Sequence, residues 1–384
     1  MLLNLATWLA AALLLVAANS VVATPQMAAV DALLRDEMAH ANIPGMAVAV
    51  SVNGRVTFYS HGVASRASGA AVTPRTLFEI GSLSKTFTAT LAGYAAAQHR
   101  LDFTQPVSHY LPALRGSAFD RVTPLNLGTH TSGLPLQVPG AITTPAQLMA
   151  YYRDWQPPAP VGRVRVYSNP GSGLLGLLAA QALGQPFCHA MATHLFAAFG
   201  LGNTYLQVPA DRLADYAQGY NQNDEPVRLN PGPLDAEAYG IKAGSADVIR
   251  YLNIQLGVVP VAPGWRQALR LTQQGYAQVG GFTQGLMWER YPLPVSLAQL
   301  LAGNDSRVIT EPQPATALTP PTPPLRTAWY NKTGSTNGFS AYAMFIPQRQ
   351  VALVILANHA WPNGRRVTLA WNILKALDAD ALVP

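Results

Sequence analysis

The sequence predicts an α+β fold, with an antiparallel sheet built from both chain ends and a mainly helical segment inserted between them. Three observations carry this expectation. Strand-like runs lie near both ends of the chain, helical periodicity dominates its middle, and the termini of that arrangement are amphipathic helices. The 384 residues are 49% hydrophobic and only 11% charged, a balance that buries a sizeable core and excludes disorder.

The elements follow in order. Residues 26–40 place Met27, Val30, Leu33, Leu34 and Met38 at helical spacing. Residues 46–60 alternate as two strands around Asn53-Gly54, a pair that favours a tight hairpin turn. From Thr86 to about Phe199 the pattern is helical, broken by loops such as 131–139, and a further helix is expected over 245–256. Strands return at 339–346 and 351–357, and 367–377 closes the chain as a helix. Six prolines between Pro312 and Pro324 mark an extended, exposed loop. These boundaries give a sheet portion of residues 24–95 and 257–384 and a helical insertion of 96–256. A ligand is expected in the cleft between them.

Residues 1–23 are apolar, carry no ionisable side chain and end in Val21-Val22-Ala23, which reads as a signal peptide for export to the periplasm. The absence of a Lys or Arg near Met1 leaves a retained anchor as the alternative. Net charge is +6, but the basic residues are scattered, which argues against a nucleic-acid footprint. Cys188 is the single cysteine and is expected to be a small buried thiol. His189 and His194 lack carboxylates or further histidines at ligand spacing, so no metal and no cofactor are expected. Nothing points to an oligomer, and a monomer acting on a small molecule is the default.

Three short motifs carry the chemistry. Ser82-Leu83-Ser84-Lys85 precedes a helical run, so Lys85 falls on the same face as Ser82 and its amine can activate the hydroxyl. Tyr167-Ser168-Asn169 offers a phenol that works as a base only if nearby cations lower its pKa. Lys332-Thr333-Gly334-Ser335 supplies a cation, a hydroxyl and a residue with no side chain to obstruct a ligand. The Ser335 and Ser82 N–H groups would then pair as an oxyanion hole. Each motif recurs by chance alone; their conjunction and order are specific.

Together with FEIGSLSKTFTA, HTSGLPLQVP, NPGPLDAEAYGIK and LANHAWPNGRR, these motifs make the chain resemble the class C serine β-lactamases over nearly all of residues 24–384. The resemblance implies a β-lactam substrate, Ser82 as nucleophile, and Lys85 and Tyr167 as the proton-handling pair. It places Gln137 and Asn169 on the substrate side-chain amide and Tyr239 along the pocket wall. Lys332, Thr333, Asn363 and Arg366 would serve the substrate carboxylate. At three places the chain departs from the family pattern: Ser340 stands for Gly, Ala243-Gly244 for a hydroxyl pair, and Asn331 for His. Penicillin-binding D,D-peptidases, β-lactamase-like esterases and a non-catalytic binding protein of the same fold are the alternatives.

Overall fold

The computed structural model describes residues 25–377; the predicted signal segment 1–23 lies outside them. The chain opens with helix α1 (Pro25–His40), then hairpin strands β1 (Gly45–Val52) and β2 (Arg55–Gly62). Asn53 and Gly54 both adopt positive φ, the requirement of the tight turn that joins twisted strands. Helices α2 (Ser84–Ala97), α3 (Asn169–Leu183), α4 (Ser245–Gln255) and α5 (Pro263–Gln273) fill the middle. Strands β3 (Gly275–Val279), β4 (Phe282–Gln284), β5 (Glu289–Pro292), β6 (Thr316–Thr322), β7 (Ala328–Ser335), β8 (Ser340–Ile346) and β9 (Val351–Ala357) follow. Helix α6 (Asn363–Leu377) ends the described chain.

Nine strands form one antiparallel sheet in the order β6-β3-β4-β5-β7-β8-β9-β1-β2. The two chain ends meet where β1 pairs with β9, Met46 opposite Ala357. β9 reads VALVILA and is buried at every position because helices cover both of its faces. Its side chains still alternate. Val351, Leu353, Ile355 and Ala357 pack under α1 and α6, whereas Ala352, Val354 and Leu356 face the inner helices. The inner face of β1 and β8 carries Ala47, Ala49, Ala341 and Ala343, and these small side chains let α4 lie close against the sheet.

Two expectations change on folding. The proline-rich stretch is not an irregular loop: Thr316–Thr322 is the outermost strand, with its register broken between Ala317 and Thr322. Proline is tolerated there because an edge strand has one row of N–H groups with no neighbour to bond. Cys188 is exposed, not buried. In the short helix Phe187–Ala190, Phe187 and Ala190 take the inward positions three residues apart, and Cys188 is turned outward. Among the described residues no helix is long and apolar enough to cross a membrane, and no group of side chains could hold a metal.

The start of α6 is braced from inside. Arg366 is buried and directs its guanidinium at backbone carbonyls: Gly334 at 2.7 Å, Ala341 at 3.3 Å and Trp361 at 2.8 Å from Nε. A buried cation held by several carbonyls is rigid, and its removal strands those acceptors without solvent. Arg366→Met is therefore expected to lower unfolding stability by about 2–4 kcal/mol, measured by urea denaturation.

Candidate active site

Ser82 lies in a 3-10 turn, Gly81–Leu83, that runs directly into α2. Residues three apart eclipse in such a turn, so Lys85 stands over Ser82 with Nζ 3.0 Å from Oγ. Gly81 adopts φ +53°, and a Cβ there would meet the backbone of Ser335 at 2.5 Å. Gly334 is as crowded, since a Cβ would lie 2.0 Å from the Ile80 carbonyl. Two glycines thus let the end of β7 approach the turn that carries Ser82. Ser335 is exposed and Ser82 half-exposed, so both open to solvent at this junction.

Lys85 is fully buried. Its ammonium donates to Asn169 Oδ1 at 2.6 Å, to the Ala238 carbonyl at 2.8 Å and to Ser82. Three acceptors match its three protons. Asn169 is placed by local capping: Ser168 accepts the Gly171 N–H at 2.9 Å and so starts α3. The Asn169 N–H donates to the Leu136 carbonyl at 3.0 Å, which docks the 131–139 loop beside it. Gln137 is exposed on that loop. Tyr239 follows Ala238 by one residue, with the Lys85 ammonium 5.9 Å from its ring centre.

Tyr167 sits among cations. Lys332 Nζ is 5.1 Å and Lys85 Nζ 5.2 Å from its ring centre, and the Arg165 guanidinium 5.5 Å. Burial alone would raise the phenol, but the charges of Lys332 and Lys85, helped by the Ser82 hydroxyl, outweigh it and bring its pKa to about 8. Burial lowers the Lys85 ammonium, the Tyr167 charge offsets part of this and Lys332 adds to it, leaving about 8 as well. The phenol and the ammonium therefore both lie at about 8 beside the Ser82 hydroxyl. Lys332 itself donates to the Thr333 carbonyl at 2.9 Å. Asn363, at the first position of α6, is half-exposed and lines a cavity shared with Ser335. Arg366 reaches that cavity wall, but the carbonyls described above hold it, so it supports Gly334 from behind.

Sequence reasoning missed the groups that hold Tyr167. His130 is buried, with its ring 4.4 Å from that of Tyr167 and tilted by 34°. Its Nδ1 accepts the Ser168 N–H at 3.2 Å, so the ring proton is on Nε2. Burial, then Arg165, Lys85 and Lys332, hold its pKa well below the usual value and keep it neutral. Arg165 is buried against Glu289 at 3.3 Å and Gln284 at 2.8 Å, and Glu289 accepts from Asn331 at 2.9 Å. Nothing in the VGRVRV run separates its two arginines, since residues two apart share one face of a strand; only the fold buries Arg165 and leaves Arg163 exposed.

A β-lactamase family profile matches residues 30–378. A β-lactamase of Providencia stuartii is 49% identical over 349 residues, covering 91% of each chain. The chain belongs to the β-lactamase family, in class C. A class C β-lactamase solved in complex with cefoxitin is 48% identical and superposes with a TM-score of 0.90, over 92% of this chain and 99% of that one. A structure described as a β-lactamase/D-alanine carboxypeptidase from Pseudomonas syringae is also 48% identical with a TM-score of 0.90, over the same shares. The reaction of this class C β-lactamase is hydrolysis of the β-lactam amide through the acyl-serine route general to the family.

Two outcomes are expected from this geometry. Ultraviolet titration of tyrosinate should show one tyrosine ionising at about 8. That step should vanish in Tyr167→Phe and move upward in Lys332→Met, since removing a cation disfavours the phenolate. Gly334→Ala should lower kcat about 100-fold or more while circular dichroism stays native, because the new Cβ pushes β7 away from the Ser82 turn.

Proposed function

We propose that Ser82 is the nucleophile of a class C β-lactamase exported to the periplasm and acting there as a monomer. The observation that carries the catalytic assignment is the 3.0 Å contact between the buried Lys85 ammonium and Ser82 Oγ, at the open end of the Ser335 strand. Ser82 Oγ attacks the lactam carbonyl as its proton passes to the Tyr167–Lys85 pair. These two groups share the proton, so the pair titrates together. The carbonyl oxygen becomes an anion facing the Ser82 and Ser335 N–H groups, whose positions are set before substrate arrives.

Collapse of that intermediate breaks the C–N bond, and the ring nitrogen takes the proton held by Tyr167 and Lys85. Water then attacks the ester from the Tyr167 side, passes its proton to the same pair and releases Ser82. Lys332, Thr333 and Asn363 meet the substrate carboxylate, while Asn169 and Gln137 meet the side-chain amide. Export rests on the apolar segment 1–23 with its small residues before Thr24. D-alanine carboxypeptidase activity is the second reading, favoured by the description of the Pseudomonas syringae relative. It uses the same acylation step on a peptide carbonyl.

Steady-state hydrolysis of a chromogenic cephalosporin beside Ser82→Ala tests the assignment. Repeated turnover in the parent, reduced at least 1000-fold on the order expected for loss of a nucleophile, is the predicted result. A single stoichiometric burst that stalls would favour the peptidase. Substantial turnover by Ser82→Ala would eliminate Ser82 as nucleophile.

A further inference from the structure

Ser340 opens β8 and is buried, yet no step of the acyl-transfer chemistry uses it. Its Oγ donates to the His359 carbonyl at 2.8 Å and accepts the Trp361 N–H at 3.0 Å. The Trp361 carbonyl lies farther off, at 3.3 Å, and a hydroxyl has one proton to give. A single side chain therefore fastens both ends of the turn 359–361 to the sheet.

That turn is gripped from its outer side by other groups. His359 Nε2 faces Asp224 at 3.1 Å, and Trp361 Nε1 donates to Glu37 at 2.8 Å. On the side facing β7, Ser340 and Arg366 hold it. Beyond Pro362 the turn delivers Asn363, which lines a cavity of about 580 Å³ together with Ser335, Thr336 and Asn304. The amide of Asn363 makes no hydrogen bond to a described residue and is free for a ligand. Its position is inherited from the turn behind it.

We propose that Ser340 is a specificity-determining positioning residue, whose hydroxyl fixes the 359–361 turn and so places Asn363 against the substrate carboxylate. This rests on the β-lactamase reading and on Asn363 meeting that carboxylate. Loss of the hydroxyl leaves one carbonyl and one N–H of the turn without a partner, and Asn363 shifts with them. Ser82 and Lys85 are held by hydrogen bonds made elsewhere, and Tyr167 by its packing against His130 and Arg165, so these three keep their geometry. The effect therefore belongs to substrate binding and leaves the chemical step alone.

The test compares the parent, Ser340→Ala, Asn363→Ala and the double variant on one carboxylate-bearing cephalosporin, with thermal unfolding of each. Ser340→Ala should raise KM about three- to tenfold with kcat within about twofold. In the Asn363→Ala background the same change should have no further effect on KM, because its route of action is gone. An unchanged KM in Ser340→Ala, or an undiminished effect in the double variant, overturns the proposal. So does a fall in kcat that tracks lost folded protein. Cephalosporin binding measured in the Ser82→Ala background, with and without Ser340→Ala, reads positioning independently of turnover. A parent enzyme that fails to turn over the cephalosporin would count against the hydrolase reading, while the binding comparison would still decide the role of Ser340.

Discussion

The buried ammonium of Lys85 is the interaction on which the rest of the site depends. A cation taken fully out of water is stable only where acceptors replace its hydration shell, and here they come from three separate parts of the chain. Ser82 belongs to the turn before α2, Asn169 to the start of α3, and Ala238 to the short helix Asp235–Ala238 that Tyr239 follows. One side chain therefore imposes a common position on the Ser82 hydroxyl, the Asn169 amide and the segment that leads into Tyr239. Lys332 provides a second cation from the sheet, so the phenol of Tyr167 lies between two lysines. Its acidity follows from that position, against the effect of its own burial.

The second constraint is steric. Gly81 and Gly334 face each other across the junction of helix and sheet, and neither place has room for a side chain. Backbone N–H groups of the turn and strand can converge only because of this close approach. The sheet gives it rigidity: β5 pairs the first half of β7 up to Asn331, β8 pairs it through to Ser335, and Arg366 braces Gly334 from beneath. Behind Tyr167, Arg165, Glu289 and Asn331 form a buried ion pair with an amide attached. Asn331 thus ties the strand position before Lys332 to the charges that surround the phenol.

Much of this was legible in the sequence, for reasons that differ between elements. The Asn53-Gly54 hairpin, the helix after Ser82 and the two C-terminal strands follow from local rules, and their bounds shift by only a few residues. Cys188 illustrates where local reasoning stops. An apolar neighbourhood suggested burial, but the side that a one-turn helix presents inward depends on what packs against it. Proline-rich composition predicts an extended, exposed loop at 312–324, but its place at the sheet edge lets that extended backbone pair as a strand despite the missing donors. The resemblance to class C enzymes implies a substrate-carboxylate role for Arg366, whereas the fold encloses it among carbonyls.

By itself the sequence determined the residue types, their order and their short-range spacing, and these were sufficient to indicate an acyl-transfer serine enzyme of α+β architecture. Ser82 and Lys85 are three apart, so helical geometry alone brings them together. Tyr167 and Lys332 are remote from both, and only tertiary packing decided that their charges meet around one hydroxyl. The same holds for His130 against Tyr167 and for Ser340 against the 359–361 turn. Spacing along a chain specifies which side chains share a turn of helix or a face of a strand. Burial, charge proximity and backbone approach arise between segments, and they exist only once the sheet has closed around the helices.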